Sequence, residues 1–303
     1  MARSRLGVPS DSPRLPLFSI SQVSTLAGSF GDDVRAYAAA GVDGIGVWEL
    51  KLGDGPDGEA LEQLAESGLG SATAVPAVPS ILPLPFLPGP DDPRERIDAI
   101  CASVHRLAAF GPSAVLCVTG PAGDRDPGAA RAVVVEALRE IAAEARSAGV
   151  RVALEPFQRE GIENWSLPNT LADAAALIDE TGESETIGIQ FDVWHLWNTP
   201  DLRDELEREA HRIVGVHVND WRDPTRGWAD RVLPGDGLAD VAGILGALER
   251  VGWDGFYDLE VFSDNGAFGT MYPDSLWELE PGELARRGRD SFARCWNERK
   301  VAA

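Results

Sequence analysis

The sequence predicts an α/β fold: a (β/α)8 barrel in a single domain, with an extra C-terminal helix. Three observations predict it. Short apolar, β-branched runs alternate eight times with longer helical patterns, the order a parallel barrel needs. Several helical patterns stop at a small-residue turn just before the next strand: A-A-G-V-D-G, E-S-G-L-G, S-A-G-V and V-G-W-D-G. Glycine there supplies the left-handed residue that ends a helix. The length, 303 residues, suits one large barrel, and no linker divides the units.

The elements follow in order. Residues 1–13 read as a flexible N-terminal arm, and the barrel occupies 14–303. Strand one is L-P-L-F-S-I-S, with a helix near Gly31 to Ala40. Strand two is G-I-G-V-W, with a helix near Gly58 to Ser67. Strand three is G-S-A-T-A-V, followed by a long loop. A helix around Pro93 to Phe110 leads to strand four, A-V-L-C-V-T. The helix from Asp126 to Ala148 leads to strand five, Val150 to Glu155. Asn169 to Thr181 is helical, with Asn or Thr as the capping residue. Strand six ends at Asp192, strand seven near His217 and strand eight at Glu260. Helices near Asp201 to Ala210 and Asp240 to Val251 lie between them. A last helix, around Glu283 to Glu298, packs outside the barrel.

One segment breaks the pattern. Residues 75–93 read V-P-A-V-P-S-I-L-P-L-P-F-L-P-G-P-D-D-P. So many prolines forbid a helix or a central strand. The segment follows strand three on the face where strands end. It is either a wall or lid over a pocket, or a rigid loop packed on the barrel rim or on another subunit of a homo-oligomer.

Composition narrows the function classes. Hydrophobic residues make up 44%, which places the chain among globular proteins. The formal charge is −22, which opposes binding to a phosphate backbone, so no nucleic-acid partner is expected. No apolar run spans a bilayer and no cationic start precedes an apolar block; neither a membrane segment nor a signal peptide is expected. The three isolated cysteines, without a C-x-x-C pair, fit a reducing, cytoplasmic setting.

Four ligand-type residues each end a strand: Glu155 in V-R-V-A-L-E, Asp192 in T-I-G-I-Q-F-D, His217 in R-I-V-G-V-H and Glu260 in G-F-Y-D-L-E. Strand ends in a parallel barrel converge on one face. Singly, each has an ordinary structural reading. Jointly, three carboxylates brought close would repel one another without a cation. The set suits one hard divalent ion, with Mn²⁺ first, then Mg²⁺, Co²⁺ or Zn²⁺. Nine tryptophans are unusual, and Trp48 and Trp197 fall near predicted loops on the same face as candidate walls for a sugar ring or a flat aglycone.

The same residues carry a resemblance. L-E-P after strand five, N-T before the next helix, I-Q-F-D-V-W-H, G-V-H-V-N-D, R-V-L-P-G-D-G and G-F-Y-D-L-E resemble the sugar phosphate isomerase/epimerase family of xylose isomerase-like TIM barrels. The resemblance is strongest over residues 150–262. It implies that Glu155, Asp192, His217 and Glu260 are divalent-metal ligands. It implies that His195, in D-x-x-H, contacts substrate, and that Arg231 binds substrate oxygens. The chain departs from the family at strand two, where Gly46 stands at the usual acidic position; Glu49 could supply that group from the loop.

The first functional reading is a divalent-metal-dependent isomerase or epimerase of a sugar or cyclitol. It works by proton transfer next to a carbonyl, through an enediolate held by the cation. Glu155 and Glu260 form the acid/base pair and His195 assists. The alternative is a dehydratase or lyase eliminating a β-substituent from a keto-sugar, keto-inositol or keto-glycoside. An endonuclease IV-like phosphodiesterase is disfavoured by charge and by a count of four histidines. A non-catalytic barrel is the last reading.

Overall fold

The computed structural model describes residues 15–85, 87–157 and 165–299, so the arm expected at residues 1–13 lies outside the described residues. Strand β1 (Phe18–Ser21) is followed by helix α1 (Phe30–Ala40), and β2 (Gly44–Gly46) by α2 (Gly58–Ser67). The third expected strand is in two pieces, β3 (Gly70–Ser71) and β4 (Thr73–Ala74). Then come α3 (Pro93–Ala108), β5 (Ala114–Cys117), α4 (Pro127–Ala148), β6 (Val152–Leu154), α5 (Leu171–Thr181) and β7 (Ile187–Asp192). Helices α6 (Val193–Leu196) and α7 (Leu202–Glu209) precede β8 (Ile213–Val218). A small ribbon pairs β9 (Asp220–Trp221) with β10 (Arg231–Val232), and α8 (Val241–Arg250), β11 (Tyr257–Leu259) and α9 (Pro281–Glu298) follow.

The main sheet runs β3-β2-β1-β11-β8-β7-β6-β5-β4, and all its pairings are parallel. It begins and ends on the two halves of strand three: β3 pairs with β2, and β4 pairs with β5. Strand three changes partner at Ala72, and through it the barrel comes round on itself. Inside, Thr73 Oγ1 donates to Gln190 Oε1 across the lumen at 2.9 Å. A side chain on Gly215 would overlap that same Gln190 oxygen, which is why strand seven carries a glycine there. The larger hydrophobic core lies inside the barrel and between it and the helices.

Local chemistry sets the helix ends. Ser29 and Asp32 form a reciprocal capping box on α1, and Thr170, not Asn169, caps α5 by accepting from the Asp173 N–H at 3.0 Å. Gly41, Gly149 and Gly182 end their helices with φ of 69°, 72° and 75°. The helix α6 was not expected. It starts because the Asp192 carboxylate accepts the Trp194 N–H at 2.8 Å, an N-cap at the very end of a strand. Among the described residues, no helix is long and apolar enough to cross a membrane.

The proline-rich segment is a fixed wall. The backbone of residues 79–82 runs along the end of strand four: Val118 donates to Pro79 O, Ile81 to Val118 O and Leu82 to Thr119 O. Buried Arg96 on α3 clamps the segment from behind, donating to Ser80 O at 2.8 Å, Ser80 Oγ at 2.7 Å and Pro90 O at 2.8 Å.

Candidate functional site

Strand register builds the site. Asp192 on β7 lies beside His217 on β8, which lies beside Asp258 on β11, which lies beside Ser19 on β1. Glu155 and Glu260 follow directly on β6 and β11. Each of Glu155, Asp192, His217 and Glu260 offers one ligand atom, and these four atoms lie within 4.8 Å of one another. His217 Nδ1 is 3.4 Å from Glu155 Oε1, 3.4 Å from Glu260 Oε2 and 3.9 Å from Asp192 Oδ2. All four residues are buried.

Some of these groups are held and some are not. Asp192 Oδ1 accepts from the Trp194 N–H and from Asn219 Nδ2, both at 2.8 Å. Arg231 Nη1 donates to Asp192 Oδ2 at 3.0 Å and to Glu260 Oε2 at 2.9 Å. The Arg231 guanidinium is sandwiched between the rings of Trp194 and Phe262, 4.9 and 4.7 Å away. Glu155 Oε1 and both ring nitrogens of His217 are buried without a hydrogen-bond partner. Buried polar atoms left so are costly, and here Nδ1 and Oε1 point at one spot among carboxylates. That donor set, one imidazole and three carboxylates, fits a divalent cation.

The titration behaviour says the same. Burial pushes the Glu155 carboxyl up to about 7, against the pull of His217. Burial alone would lower His217, but Glu260, Glu155 and Asp192 outweigh it and raise the imidazole to about 10. Burial likewise works to raise Asp192, but Arg231, His195 and His217 hold it below its usual value. Without a cation, the cluster therefore favours holding a proton near neutral pH.

Above the cluster is a small cavity of about 40 Å³. Val75, Pro79, Leu84 and Leu87 of the proline-rich wall line one side. Trp48, Phe157, Trp165, Trp228 and Phe262 line much of the rest. Among the described residues, the titratable groups lining it are Glu155, His195, Arg231 and Glu260. His195 stacks flat on Phe157 at 3.8 Å, and its Nε2 is 3.8 Å from Asp192 Oδ2. Burial drives its pKa down to about 3, so the ring is neutral near pH 7.

Two expected substrate contacts stand elsewhere. Glu49 does not replace the missing strand-two acid at the cavity: its carboxylate accepts from the Ala77 N–H at 2.8 Å and Ser103 Oγ at 2.6 Å, tying the wall to α3. Trp197 packs near Trp221, 5.9 Å between rings, and lines a separate groove beside Asp201. Trp48 does line the cavity, with Nε1 donating to Ser21 Oγ at 2.7 Å. Asn219 and Asp258 were missed. Their signal was strand alternation: each is two residues from a candidate ligand on its own run, so it shares that residue's face.

Over residues 34–295 the sequence matches the family described as xylose isomerase-like TIM barrel. The chain belongs to that family. An inosose isomerase of Halalkalibacterium halodurans is 29% identical over 132 residues, 42% of this chain and 45% of that protein's length. The structure of an L-ribulose 3-epimerase superimposes with a TM-score of 0.74 at 22% identity, covering 94% of this chain and 95% of the other. An IolI protein solved with a bound zinc atom gives a TM-score of 0.74 at 18% identity, covering 94% and 99%. At those identities the two structures establish the shared fold.

Proposed function

We propose that this xylose isomerase-like barrel is a divalent-metal-dependent isomerase or epimerase of a neutral sugar or cyclitol ketone. The observation that carries the reading is the four-residue cluster, with Glu155 Oε1 and His217 Nδ1 unpartnered beneath a walled cavity. The inosose isomerase and L-ribulose 3-epimerase relatives point to the same reaction class. Glu155, Asp192, His217 and Glu260 would hold the ion, with Mn²⁺ first among the candidates. A bound divalent ion would grip neighbouring substrate oxygens and polarise the carbonyl. Glu155 and Glu260 come from strands on different sides of the cluster. One removes the proton beside the carbonyl and the other returns it. Arg231 offsets the charge of Asp192 and Glu260. His195, neutral and with Nδ1 unpartnered, offers a hydrogen bond to a substrate hydroxyl.

The cavity also favours a substrate without phosphate. Arg231 is its one cationic lining group among the described residues, and two carboxylates already occupy it. The R-V-L-P-G-D-G turn offers no phosphate cradle either, because its Gly235 and Gly237 N–H groups, with that of Ala239 just beyond it, are turned inward onto the Asp220 carboxylate. The apolar wall leaves room for a second outcome, β-elimination from a keto-glycoside carrying an apolar group. A screen of keto-sugars, keto-inositols and keto-glycosides with Mn²⁺, followed by proton NMR in D₂O, tests both. Deuterium entering beside the carbonyl with carbon skeleton and hydroxyls retained supports isomerisation, and loss of a substituent supports elimination. A metal-loaded protein that neither converts any of them nor exchanges a carbon-bound proton sinks the enolate reading.

A further inference from the structure

Asp258 has no place in the scheme above, yet it is buried at the centre of the barrel. Its Oδ1 accepts from Ser19 Oγ at 2.8 Å, while Oδ2 has no hydrogen-bond partner. Oδ2 faces His217 Nε2 at 3.9 Å, and that nitrogen has no partner either. The pairing is set by register, since Asp258 and His217 are direct neighbours across β11 and β8. On the other side is Gly46, where a Cβ would overlap Asp258 Oδ2. The carboxylate thus occupies the volume that a strand-two side chain would fill.

We propose that Asp258 is the positioning residue for His217, a carboxylate supplied by strand eight in a barrel whose strand two ends in glycine. The inference rests on the metal reading of the cluster. A neutral imidazole carries one N–H. Nδ1 faces Glu155, Glu260 and Asp192, so a His217 that ligates through Nδ1 must carry its proton on Nε2. Asp258 Oδ2 is the acceptor that Nε2 meets. A carboxylate behind a ligating histidine fixes its tautomer and ring angle and makes the other nitrogen a better donor to metal. The gap is about 1 Å longer than a charge-assisted N–H···O bond, a distance a small ring tilt closes. Ser19, by holding Oδ1, leaves Oδ2 aimed at the ring.

Zinc is the probe, because it is diamagnetic. Zinc affinity is measured by chelator competition, and the His217 Nε2–H resonance is followed by ¹H–¹⁵N NMR, for the native chain, Asp258→Asn and Ser19→Ala. Asp258→Asn should weaken zinc by roughly 10–100-fold, with the Nε2–H resonance moving upfield. Ser19→Ala keeps the carboxylate but frees its orientation, and should shift both readings in the same direction by less. It stands in if the Asn variant does not fold. Zinc bound as tightly as in the native chain, with an unmoved Nε2–H resonance, overturns the assignment. If the native chain takes up no zinc, the metal reading falls separately. The Nε2–H resonance of the metal-free protein then still decides on Asp258, supporting it if the substitution moves the signal and overturning it if not.

Discussion

His217 and His195 sit in the same buried layer yet have opposite electrostatic settings. His217 looks into three carboxylates, which raise it to about 10; His195 is stacked on Phe157, and burial lowers it to about 3. Their substitutions should therefore separate. His217→Ala should strip the protein of most of its metal, as read by elemental analysis after purification in Mn²⁺. His195→Ala should keep the metal and lose turnover, by roughly the 10²–10⁴-fold that a positioned proton-transfer or hydrogen-bonding group contributes. Equal metal loss in both variants would place His195 among the ligands. Glu155→Gln and Glu260→Gln test the acid/base pair: each amide still offers an oxygen to the ion but cannot take a proton. Assayed with excess Mn²⁺ and measured occupancy, each should lose deuterium incorporation by a similar factor. A metal-loaded Gln variant that still exchanges at the native rate is not missing its base. The four candidate ligands were legible because each ends an apolar strand, a place where an ionisable side chain needs a reason. Glu49 was misplaced because its loop position said nothing of the Ala77 N–H and Ser103 hydroxyl waiting for it.

At the scale of elements, most strands and helices follow from period and punctuation, and the helix Gly58–Ser67 has the bounds the sequence implies. What was not legible came from partner exchange and capping. Strand three is broken because its two halves bond to different neighbours, a property of closure and not of G-S-A-T-A-V itself. Helix α6 exists because the carboxylate of Asp192, a candidate ligand, also caps it. In the sequence the proline-rich segment reads as a wall or lid, or as a loop packed on the rim or on another subunit. Its pairing beside Val118 and Thr119 and its clamp by Arg96 make it a wall. Arg96→Ala would leave two carbonyls and a hydroxyl without their donor in a buried setting, a loss of about 2–3 kcal/mol of stability. Because Leu84 and Leu87 of the same segment line the cavity, the variant should also raise KM more than it lowers kcat. Chemical denaturation and steady-state kinetics read the two effects. An unchanged denaturation midpoint would show that the segment stands without its clamp.

For the whole molecule, the chain's charge of −22 is spread over its surface, but the charges that matter for site stability are the few buried at the strand ends. Glu155 and Asp258 have folded-state pKa values pushed up to about 7 by burial, from ordinary values of 4.5 and 3.8. A carboxyl raised in this way favours the folded state fully below its ordinary pKa, and that contribution is lost as pH rises through about 7. His217, raised from 6.5 to about 10, contributes fully below 6.5 and loses that contribution as pH rises through about 10. His195 and Asp192, both lowered, act in the opposite sense, but only below about pH 6.5; above it the three raised groups act alone and the metal-free site grows more costly up to roughly pH 10. A cation bound at the cluster would take the place of those protons, and its apparent affinity would rise as the protons leave. Each displaced proton is worth about 1.4 kcal/mol per pH unit across its window. At fixed free Mn²⁺ the stabilisation by metal follows that affinity. The melting temperature with Mn²⁺, minus that with a chelator, should therefore widen steadily from pH 6 to pH 9. Taking the difference cancels the titration of the acidic surface, which is common to both forms. A difference that stays flat or narrows over that range would mean that the proton on His217 is not the one the metal displaces.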